Sequence, residues 1–257
     1  MATIAIYSMK GGVGKTTLGV NLAWVAATRS SRRTLLWDLD GQAAATFILA
    51  GEALRPRHAR EVIEREVPLQ DAIARTATPR LDLLPADRTL HGLDTIFAEL
   101  DKKKRLRRLA ESAAERYDHV VLDCPPGLGL TSEQVIRGAS LIVVPIIPSP
   151  LAWRAFEEVR THLDRHFKHA PPLMPVFNMV DRRRASHRAA LADNPSTPAI
   201  PMASAVEAMG ERHAAIGAYA PRSPAAAAIE ALWKTVERRA CQPARAPRLE
   251  LVHARAA

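Results

Sequence analysis

The chain has 257 residues, of which 47% are hydrophobic and 25% charged, enough for one large α/β domain or two small ones. Its formal net charge of +9 points to a polyanionic partner, either nucleic acid or an anionic membrane, although arginine-rich runs also occur as solvated surface. The two cysteines form no C-x-x-C pair, which excludes a disulfide framework and a zinc ribbon. No apolar run approaches the ~18 residues of a membrane span, and the N-terminus lacks the basic start of a signal peptide. We therefore expect a cytoplasmic protein.

The first element is a predicted strand in "TIAIYSM" (3–9), followed by "KGGVGKTT" (10–17). Apolar residues then recur at Leu18, Leu22 and Val25, a spacing that predicts an amphipathic helix. This strand–loop–helix order is the context of a phosphate-binding P-loop, whose standard pattern is G-x-x-x-x-G-K-[ST]. The chain departs from the pattern in two ways: Met9 stands where the first glycine belongs, and Lys10 is an additional lysine.

The loop itself contains the residue types that a phosphate site needs. Glycines let the backbone turn its N–H groups towards phosphate oxygens, and the start of the following helix adds partial positive charge. The lysine would contact the β- and γ-phosphates, the first threonine would bind Mg²⁺, and the second would lie near the α-phosphate. The predicted phosphate-binding residues are Gly11, Gly12, Val13, Gly14, Lys15, Thr16 and Thr17.

Acidic residues follow two of the next predicted strands. The run "TLLWDLD" (34–40) ends with Asp38 and Asp40, and "HVVLDCP" (119–125) contains Asp123. The carboxyl ends of parallel strands converge on the ligand crevice of an open α/β sheet, so these carboxylates should lie beside the P-loop. Asp123 matches the Walker B aspartate, which holds Mg²⁺ through water. One such aspartate could instead cap a helix, but three after apolar strands favour a metal–phosphate site.

The remaining elements predict the fold. Further continuous apolar runs lie at 81–87, 141–149 and 174–180, and such runs are typical of strands buried on both faces. Helical patterns lie between them, and the pair Ser223–Pro224 marks the start of a last helix. This alternation predicts a doubly wound α/β fold, a mostly parallel sheet with helices on both faces. We expect one domain over 1–240, one or two short helices within 49–79, and a flexible basic tail over 241–257.

Several segments together resemble the ParA/MinD family of P-loop ATPases. "KGGVGKTT" resembles the deviant Walker A motif of that family, and "YDHVVLDCPPGLG" resembles its Walker B segment. "DLDGQAAAT" is similar to the family segment DxDPQ.NAT, with Gly41 in the position of the usual proline. "LDLLPAD", "ASLIVVPIIPSPLAW" and "IPMASAVEA" also fall where family segments occur. The resemblance covers residues 1–238, implies the P-loop NTPase fold, and points to the short ParA-like partition ATPases.

The resemblance also implies roles for individual residues. Lys10 would reach across a dimer interface to the phosphates of the partner's ATP, which would tie hydrolysis to dimerisation. Asp40 would position the attacking water, and Asp38 would lie near Mg²⁺. The implied catalytic residues are thus Lys10, Lys15 and Asp40, the metal-binding residues are Thr16, Asp38 and Asp123, and the adenine contacts are Asn178, Pro201 and Met202. The cofactors would be ATP and Mg²⁺, and turnover would be slow.

By the same resemblance, the protein would be a homodimerising switch that binds DNA non-specifically and partitions or positions plasmid, chromosome or other cargo. A ParB-like or other adaptor would stimulate hydrolysis, and the protein would be associated with the nucleoid. The candidate DNA contacts are Arg182, Arg183, Arg184, Arg188 and Arg222. A solvated arginine face is the other interpretation of this group. The basic run 102–108 is predicted to be solvated surface on an outer helix.

Three alternatives stay open. A MinD-like, membrane-associated ATPase would need a C-terminal amphipathic helix, and the tail "RLELVHARAA" has Leu249, Leu251 and Val252 but no bulky aromatic residue. An electron-transfer ATPase similar to the nitrogenase iron protein would need cysteines that share a cluster, whereas Cys124 lies in the Walker B segment and Cys241 in the tail. An amide-forming synthase of the same superfamily would need further substrate motifs, which the sequence does not show.

Overall fold

The computed structural model describes residues 1–51 and 58–242. Its strands are β1 (Ala2–Ile6), β2 (Thr34–Asp38), β3 (Ala74–Arg75), β4 (Leu81–Leu84), β5 (His119–Asp123), β6 (Leu141–Ile146), β7 (Leu173–Val180) and β8 (Ala199–Pro201). The six predicted apolar runs coincide with β1, β2, β4, β5, β6 and β7. The sequence pattern does not predict β3 and β8, because strands of 2 and 3 residues are too short to produce an apolar run.

The helices lie between these strands. They are α1 (Lys15–Thr28), α2 (Ala44–Ala50), α3 (Ala59–Glu64), α4 (Leu93–Leu100), α5 (Arg105–Ser112), α6 (Leu130–Gly138), α7 (Pro150–His166), α8 (Ala185–Asp193), α9 (Ser204–Glu207), α10 (Met209–Arg212), α11 (Ile216–Tyr219) and α12 (Pro224–Ala240). The predicted cap of the last helix is present: Ser223 accepts a hydrogen bond from the backbone N–H of Ala226, and Pro224 is the first helical residue.

The strands form one sheet in the order β3-β4-β2-β5-β1-β6-β7-β8. Neighbouring strands are parallel, except for the antiparallel pair β3–β4 at one edge. The chain winds from β1 towards β4 in its first half and from the other side of β1 towards β8 in its second half. The crevice beyond the carboxyl ends of the central strands is therefore the switch point at which such sheets bind ligands. The predicted doubly wound fold is confirmed.

Two clusters of buried side chains lie on opposite faces of the sheet. Along β1, Ile4 and Ile6 belong to one cluster and Ala5 to the other, as expected of a strand buried on both faces. Side chains of α1, α2 and α10–α12 complete the first cluster, and side chains of α3–α7 complete the second. The sheet is thus covered by a helical layer on each side.

Helix α1 is not the amphipathic helix that the spacing of its apolar residues predicts. Eleven of its 14 residues are buried, because α1 lies between the sheet and the outer helices α11 and α12. Gly217 of α11 approaches so closely that an added Cβ would lie 2.2 Å from Cζ3 of Trp24. A helix that packs on both sides has no polar face. The spacing of apolar residues within α1 carries no information about the outer layer formed by α11 and α12.

The basic run 102–108 is only partly helical, since α5 begins at Arg105 and residues 102–104 precede it. Within the part of the chain that the structure describes, no helix is long and apolar enough to cross a membrane. Residues 243–257, which make up most of the predicted tail and include Leu249, Leu251 and Val252, lie outside the described residues. The domain limits 1–240 and 241–257 stay predictions.

Candidate functional site

The glycine-rich loop runs from the end of β1 into the first turn of α1. Gly12 and Gly14 have φ angles of 72° and 85°, in the left-handed region that glycine adopts without strain. Gly14 is the residue before helix α1, and its carbonyl accepts the N–H of Leu18. Lys15 begins the helix with only 7% of its surface exposed, and its Nζ donates to the carbonyl of Lys10 at 3.3 Å. The loop therefore closes around the lysine predicted to bind phosphate.

Asn178 in β7 fastens this loop to the sheet. Its Nδ2 donates to the carbonyl of Val13 at 2.8 Å, and the side chain is 5% exposed. A Cβ added to Gly14 would lie 2.3 Å from the same Nδ2, so any side chain at Gly14 would break this contact. This structural role of Asn178 has no local signal in the sequence, because the contact joins residues that are 165 positions apart. The predicted adenine contact of Asn178 stays a prediction.

Asp38 and Asp123 are cross-strand neighbours at the carboxyl ends of β2 and β5. Oδ2 of Asp38 accepts hydrogen bonds from the N–H and the hydroxyl of Thr46, and Oδ1 accepts the N–H of Asp40. Burial raises the pKa of Asp38 to about 6, although these hydrogen bonds act in the opposite direction. The structure thus brings together two carboxylates that the sequence predicts to be near the metal.

Asp123 is 1% exposed, and neither of its carboxylate oxygens has a hydrogen-bond partner among the described residues. Burial, and then the negative charge of Asp38, raise the pKa of Asp123 well above its usual value. The Thr16 hydroxyl and the charge of Lys15 lower this pKa only in part, and a buried carboxylate in such surroundings is suited to a cation. Mg²⁺ is usually held by one or two carboxylates together with phosphate oxygens and water. This agrees with the absence, within 1–51 and 58–242, of any group of three His, Cys, Asp or Glu residues that could hold a metal alone.

Asp40 lies just beyond β2 in a short turn. Its Oδ1 accepts the N–H of Gln42 at 3.0 Å, and its carbonyl accepts the N–H of Ala43 at 2.8 Å. Beside it is a cavity of about 250 Å³, which Gly41, His91 and Cys124 also line. The cavity leaves space next to the Asp40 carboxylate, so the arrangement is suited to a carboxylate that orients water.

The other predicted nucleotide contacts lie at the same edge of the sheet. Pro201 ends β8 opposite Val180 of β7, and the N–H of Met202 donates to the carbonyl of Val180 at 3.0 Å. The Met202 side chain is 60% exposed, whereas Asn178 is buried two residues before Val180. The exposed apolar side chain of Met202 is suited to packing against a flat ring. The adenine contacts stay predictions.

Lys10 is exposed, and among the described residues it takes part in no ion pair. Its backbone N–H donates to Oγ of Ser8 at 3.4 Å, and its carbonyl accepts a hydrogen bond from Nζ of Lys15. Lys10 and Lys15 thus differ sharply: one is accessible to a second molecule, and the other is enclosed by its own loop.

The candidate DNA-binding arginines are all exposed, but they differ in their contacts. Arg183 makes two hydrogen bonds to the Asp181 carboxylate, and this pair lowers the pKa of Asp181 to about 2. Arg188 donates from Nη1 to the carbonyls of Arg182 and Arg183 and so shapes the turn after β7. Within the described residues, Arg182, Arg184 and Arg222 have no ion pair.

The two cysteines lie in different surroundings and do not form one ligand pair for a metal cluster. Cys124 is 1% exposed, follows Asp123 in the interior, and has a pKa raised mainly by burial. Cys241 is exposed at the end of α12.

Two further residues near the site, His91 and Asp94, were not predicted from the sequence. They contact the segments that follow β2 and β5. No local motif marks them, because both contacts are tertiary.

The chain is similar to several known proteins. A family model described as an AAA domain matches residues 1–171. The chain is 31% identical over 193 residues to the chromosome partitioning protein ParA of Caulobacter vibrioides, and the match covers 72% of each chain. It is 34% identical over 145 residues to the sporulation initiation inhibitor protein Soj of Bacillus subtilis, a match that covers 56% of this chain and 57% of Soj.

Two solved structures are similar over nearly the whole chain. The cell division ATPase MinD of Pyrococcus furiosus has a TM-score of 0.76 and 24% identity, and the match covers 92% of this chain and 98% of MinD. Cobyrinic acid a,c-diamide synthase of Mycobacterium smegmatis, with a bound ATP analog and magnesium, has a TM-score of 0.72 and 26% identity, covering 93% and 95%. The family model and the ParA relative show that the chain belongs to the ParA/MinD family of P-loop ATPases, in which it is similar to the ParA-like partition proteins.

Proposed function

We propose that this ATPase is a nucleotide-dependent switch that dimerises around two Mg²⁺-ATP molecules, binds DNA without sequence preference, and positions DNA or another cargo. The observation that carries the proposal is an exposed Lys10 beside a complete phosphate loop whose own Lys15 is enclosed. The names of the ParA and Soj relatives support a role in partitioning. An adaptor that stimulates hydrolysis and an association with the nucleoid are part of the same proposal.

In the proposed site, the loop and the start of α1 bind the phosphates. Backbone N–H groups of residues 11–17 and the positive end of α1 face the phosphate oxygens, and Lys15 adds a full positive charge. Thr16 and Asp123 hold Mg²⁺, with Asp38 close by. Mg²⁺ supplies neutralisation of the charge that develops on the phosphates. The burial of the Asp123 carboxylate beside Thr16 and Asp38 supports this role, since a bound cation would offset the negative charge there.

Hydrolysis would depend on two further residues. Asp40 orients the attacking water in the cavity beside it, and Lys10 of one subunit stabilises charge on the phosphates of the other. In the Asp40→Ala variant we expect an ATP-bound dimer that stays on DNA, because binding is retained while the water is not positioned. If Asp40→Ala hydrolyses ATP at the wild-type rate, the role given to Asp40 is wrong.

The DNA contacts would be phosphate contacts, which are independent of sequence and sensitive to salt. Arg182, Arg184 and Arg222 are the strongest candidates, because each is exposed and has no ion pair within the described residues. Arg183 is already paired with Asp181, and Arg188 supports the turn through backbone carbonyls. We therefore place the contact on the turn after β7 and on the residue before the Ser223 cap.

The test is equilibrium binding to a non-specific DNA duplex with ATP, with ADP and without nucleotide, at two salt concentrations. We expect binding only with ATP and weaker binding at the higher salt. The triple variant of Arg182, Arg184 and Arg222 to alanine should lower the slope of log affinity against log salt by about 2 to 3, since each phosphate contact contributes about 0.9. The matched control replaces Arg154, Arg160 and Arg165 of α7 by alanine, which removes the same net charge.

Failure to bind DNA in any nucleotide state would contradict the DNA part of the proposal. An equal loss of slope in the two triple variants would show that net charge, and not these three arginines, determines binding. Liposome pelleting then tests the MinD-like alternative, in which the membrane takes the place of DNA. The tail residues on which that alternative depends lie outside the described residues.

A further inference from the structure

Gly41 follows Asp40, at a position where the family resemblance leads us to expect proline. The structure shows which residues lie where a side chain at this position would be. A turn formed by residues 88–92 packs directly on Gly41. A Cβ added to Gly41 would lie 2.9 Å from the backbone nitrogen of His91 and 3.2 Å from the ring atoms Cγ and Nδ1. Neither alanine nor proline fits at this position unless the His91 turn moves.

The same segment contacts the loop that follows the second acidic strand. Asp94, three residues after His91, accepts hydrogen bonds from the N–H and the hydroxyl of Thr131 at 2.7 and 2.5 Å. A Cβ added to Gly129 would lie 1.8 Å from Oδ2 of Asp94. Residues 91–94 therefore join the turn after Asp40 to the 124–129 loop after Asp123.

This contact matters because it acts on the middle of the Asp40 turn. Hydrogen bonds hold the two ends of that turn: the Asp40 N–H donates to Oδ1 of Asp38, and Asp40 accepts the N–H groups of Gln42 and Ala43. A proline would fix the backbone φ at position 41, whereas glycine leaves it free. Order at Gly41 itself then comes from packing, and His91 provides a backbone nitrogen and an imidazole ring against this residue. The ring lines the same cavity as Asp40.

We propose that His91 is a positioning residue for ATP hydrolysis: it holds the Asp40–Gly41 turn in place and, with Asp94, ties that turn to the 124–129 loop. His91 acts through Asp40 and does not contact the reacting atoms. The inference rests on the proposed function for the role of Asp40.

The kinetic test compares kcat and KM for ATP in four variants. His91→Ala should lower kcat by tenfold or more, towards the ~100-fold loss that a 1 Å misplacement can cause, while KM changes by less than about twofold. His91→Phe keeps a flat ring on Gly41 and should retain most of the wild-type kcat. Gly41→Pro, which restores the residue usual in the family, should lower kcat because its Cβ meets the His91 backbone. Arg88→Ala, an exposed residue of the same turn, is the matched control and should leave kcat unchanged.

A second measurement needs no hydrolysis. Hydrogen exchange of the Gln42 and Ala43 amides in nucleotide-free protein reports the order of the Asp40 turn directly. We expect faster exchange at these two amides in His91→Ala than in the wild type and Arg88→Ala. Amides in the middle of α1 should exchange at the wild-type rate in every variant, because the contact is local.

The outcomes separate the two proposals. If the wild type does not hydrolyse ATP, the proposed function fails, while exchange still decides whether His91 orders the turn. If the wild type hydrolyses ATP and His91→Ala has the same kcat, His91 is not a positioning residue. The inference is also overturned if His91→Phe is as slow as His91→Ala, since packing would then not be the cause, or if exchange at Gln42 and Ala43 is unchanged in His91→Ala.

Discussion

Lys10 and Lys15 lie in one loop, yet the structure gives them opposite surroundings. Lys15 is enclosed and bonded to the carbonyl of Lys10, whereas the Lys10 side chain is exposed. Lys15→Ala should therefore abolish ATP binding. Lys10→Ala should bind ATP with a Kd within about threefold of the wild type but lose ATP-dependent dimerisation and hydrolysis, because a charge delivered between subunits is missing. Calorimetry and light scattering measure the two properties separately.

The control for Lys10 is Lys168→Ala, which removes an exposed lysine from a distant surface. It should bind ATP and dimerise as the wild type does. A Lys10→Ala protein that still forms the ATP-dependent dimer and hydrolyses ATP at the wild-type rate would show that Lys10 is an ordinary surface residue.

His119 at the start of β5 should make stability depend on pH. It is 2% exposed, its Nε2 lies 3.5 Å from Oε1 of Glu237, and burial lowers its pKa against the opposing effect of that carboxylate. Below about pH 6.5 the unfolded chain then binds more protons than the folded chain, so stability falls as the pH falls. From this one histidine, the free energy of unfolding falls by at most about 1.4 kcal/mol per pH unit.

Urea unfolding of the wild type and of His119→Phe at pH 7.5 and 5.5 measures this effect. Phenylalanine keeps the edge contact with Trp233 but cannot bind a proton. We expect His119→Phe to lose less stability between the two pH values than the wild type and than His169→Ala, which changes an exposed histidine. An equal loss in all three proteins would contradict the assignment.

At the scale of elements, α12 depends on its N-cap. The Ser223 hydroxyl accepts the N–H of Ala226, and further along the helix Nε1 of Trp233 donates to Oγ of Ser30, just after α1. Ser223→Ala should lower the free energy of unfolding by about 1 kcal/mol, because the N-cap bond is lost, and Ser223→Asp should restore most of it. Denaturant unfolding checks this, with the exposed Ser196→Ala as control. If alanine and aspartate destabilise equally, the cap is not the cause.

Elements with a local signal could be predicted, and those defined by tertiary contacts could not. A signal within a few residues predicts three features of the fold. These are the apolar run of β1, the glycines of the phosphate loop after it, and the Ser223–Pro224 pair that begins α12. The burial of α1 depends on α11 and α12, which lie about 200 residues further along the chain. The packing of His91 on Gly41 and of Asp94 on Gly129 likewise joins loops that no sequence spacing connects. The phosphate loop could therefore be predicted from the sequence, whereas the packing of His91 on the Asp40 turn could not.

For the molecule as a whole, nucleotide and metal should act together on stability. A ligand that binds only the folded state stabilises it by about 2.7 kcal/mol at 100 times its Kd. We expect ATP with Mg²⁺ to raise the thermal midpoint more than ATP with EDTA does, because Asp123 receives its cation only in the first case. Asp123→Asn should lose most of this Mg²⁺-dependent difference, and the exposed Asp164→Asn should keep it. A full Mg²⁺ effect in Asp123→Asn would exclude Asp123 as a ligand.

The position of the last helix has a practical consequence. Glu237, near the end of α12, lies 3.5 Å from His119 at the amino end of β5, whereas the phosphate loop follows the carboxyl end of β1, the parallel neighbour of β5. The end of α12, with Cys241, therefore lies towards the opposite ends of the strands from the phosphate loop. Cys241 is exposed, while Cys124 is buried with a raised pKa and thus unreactive. A maleimide dye should therefore attach to Cys241 in preference to Cys124, without blocking nucleotide or the face around Lys10. Mixing donor- and acceptor-labelled chains would then report subunit exchange by energy transfer in the unmutated protein.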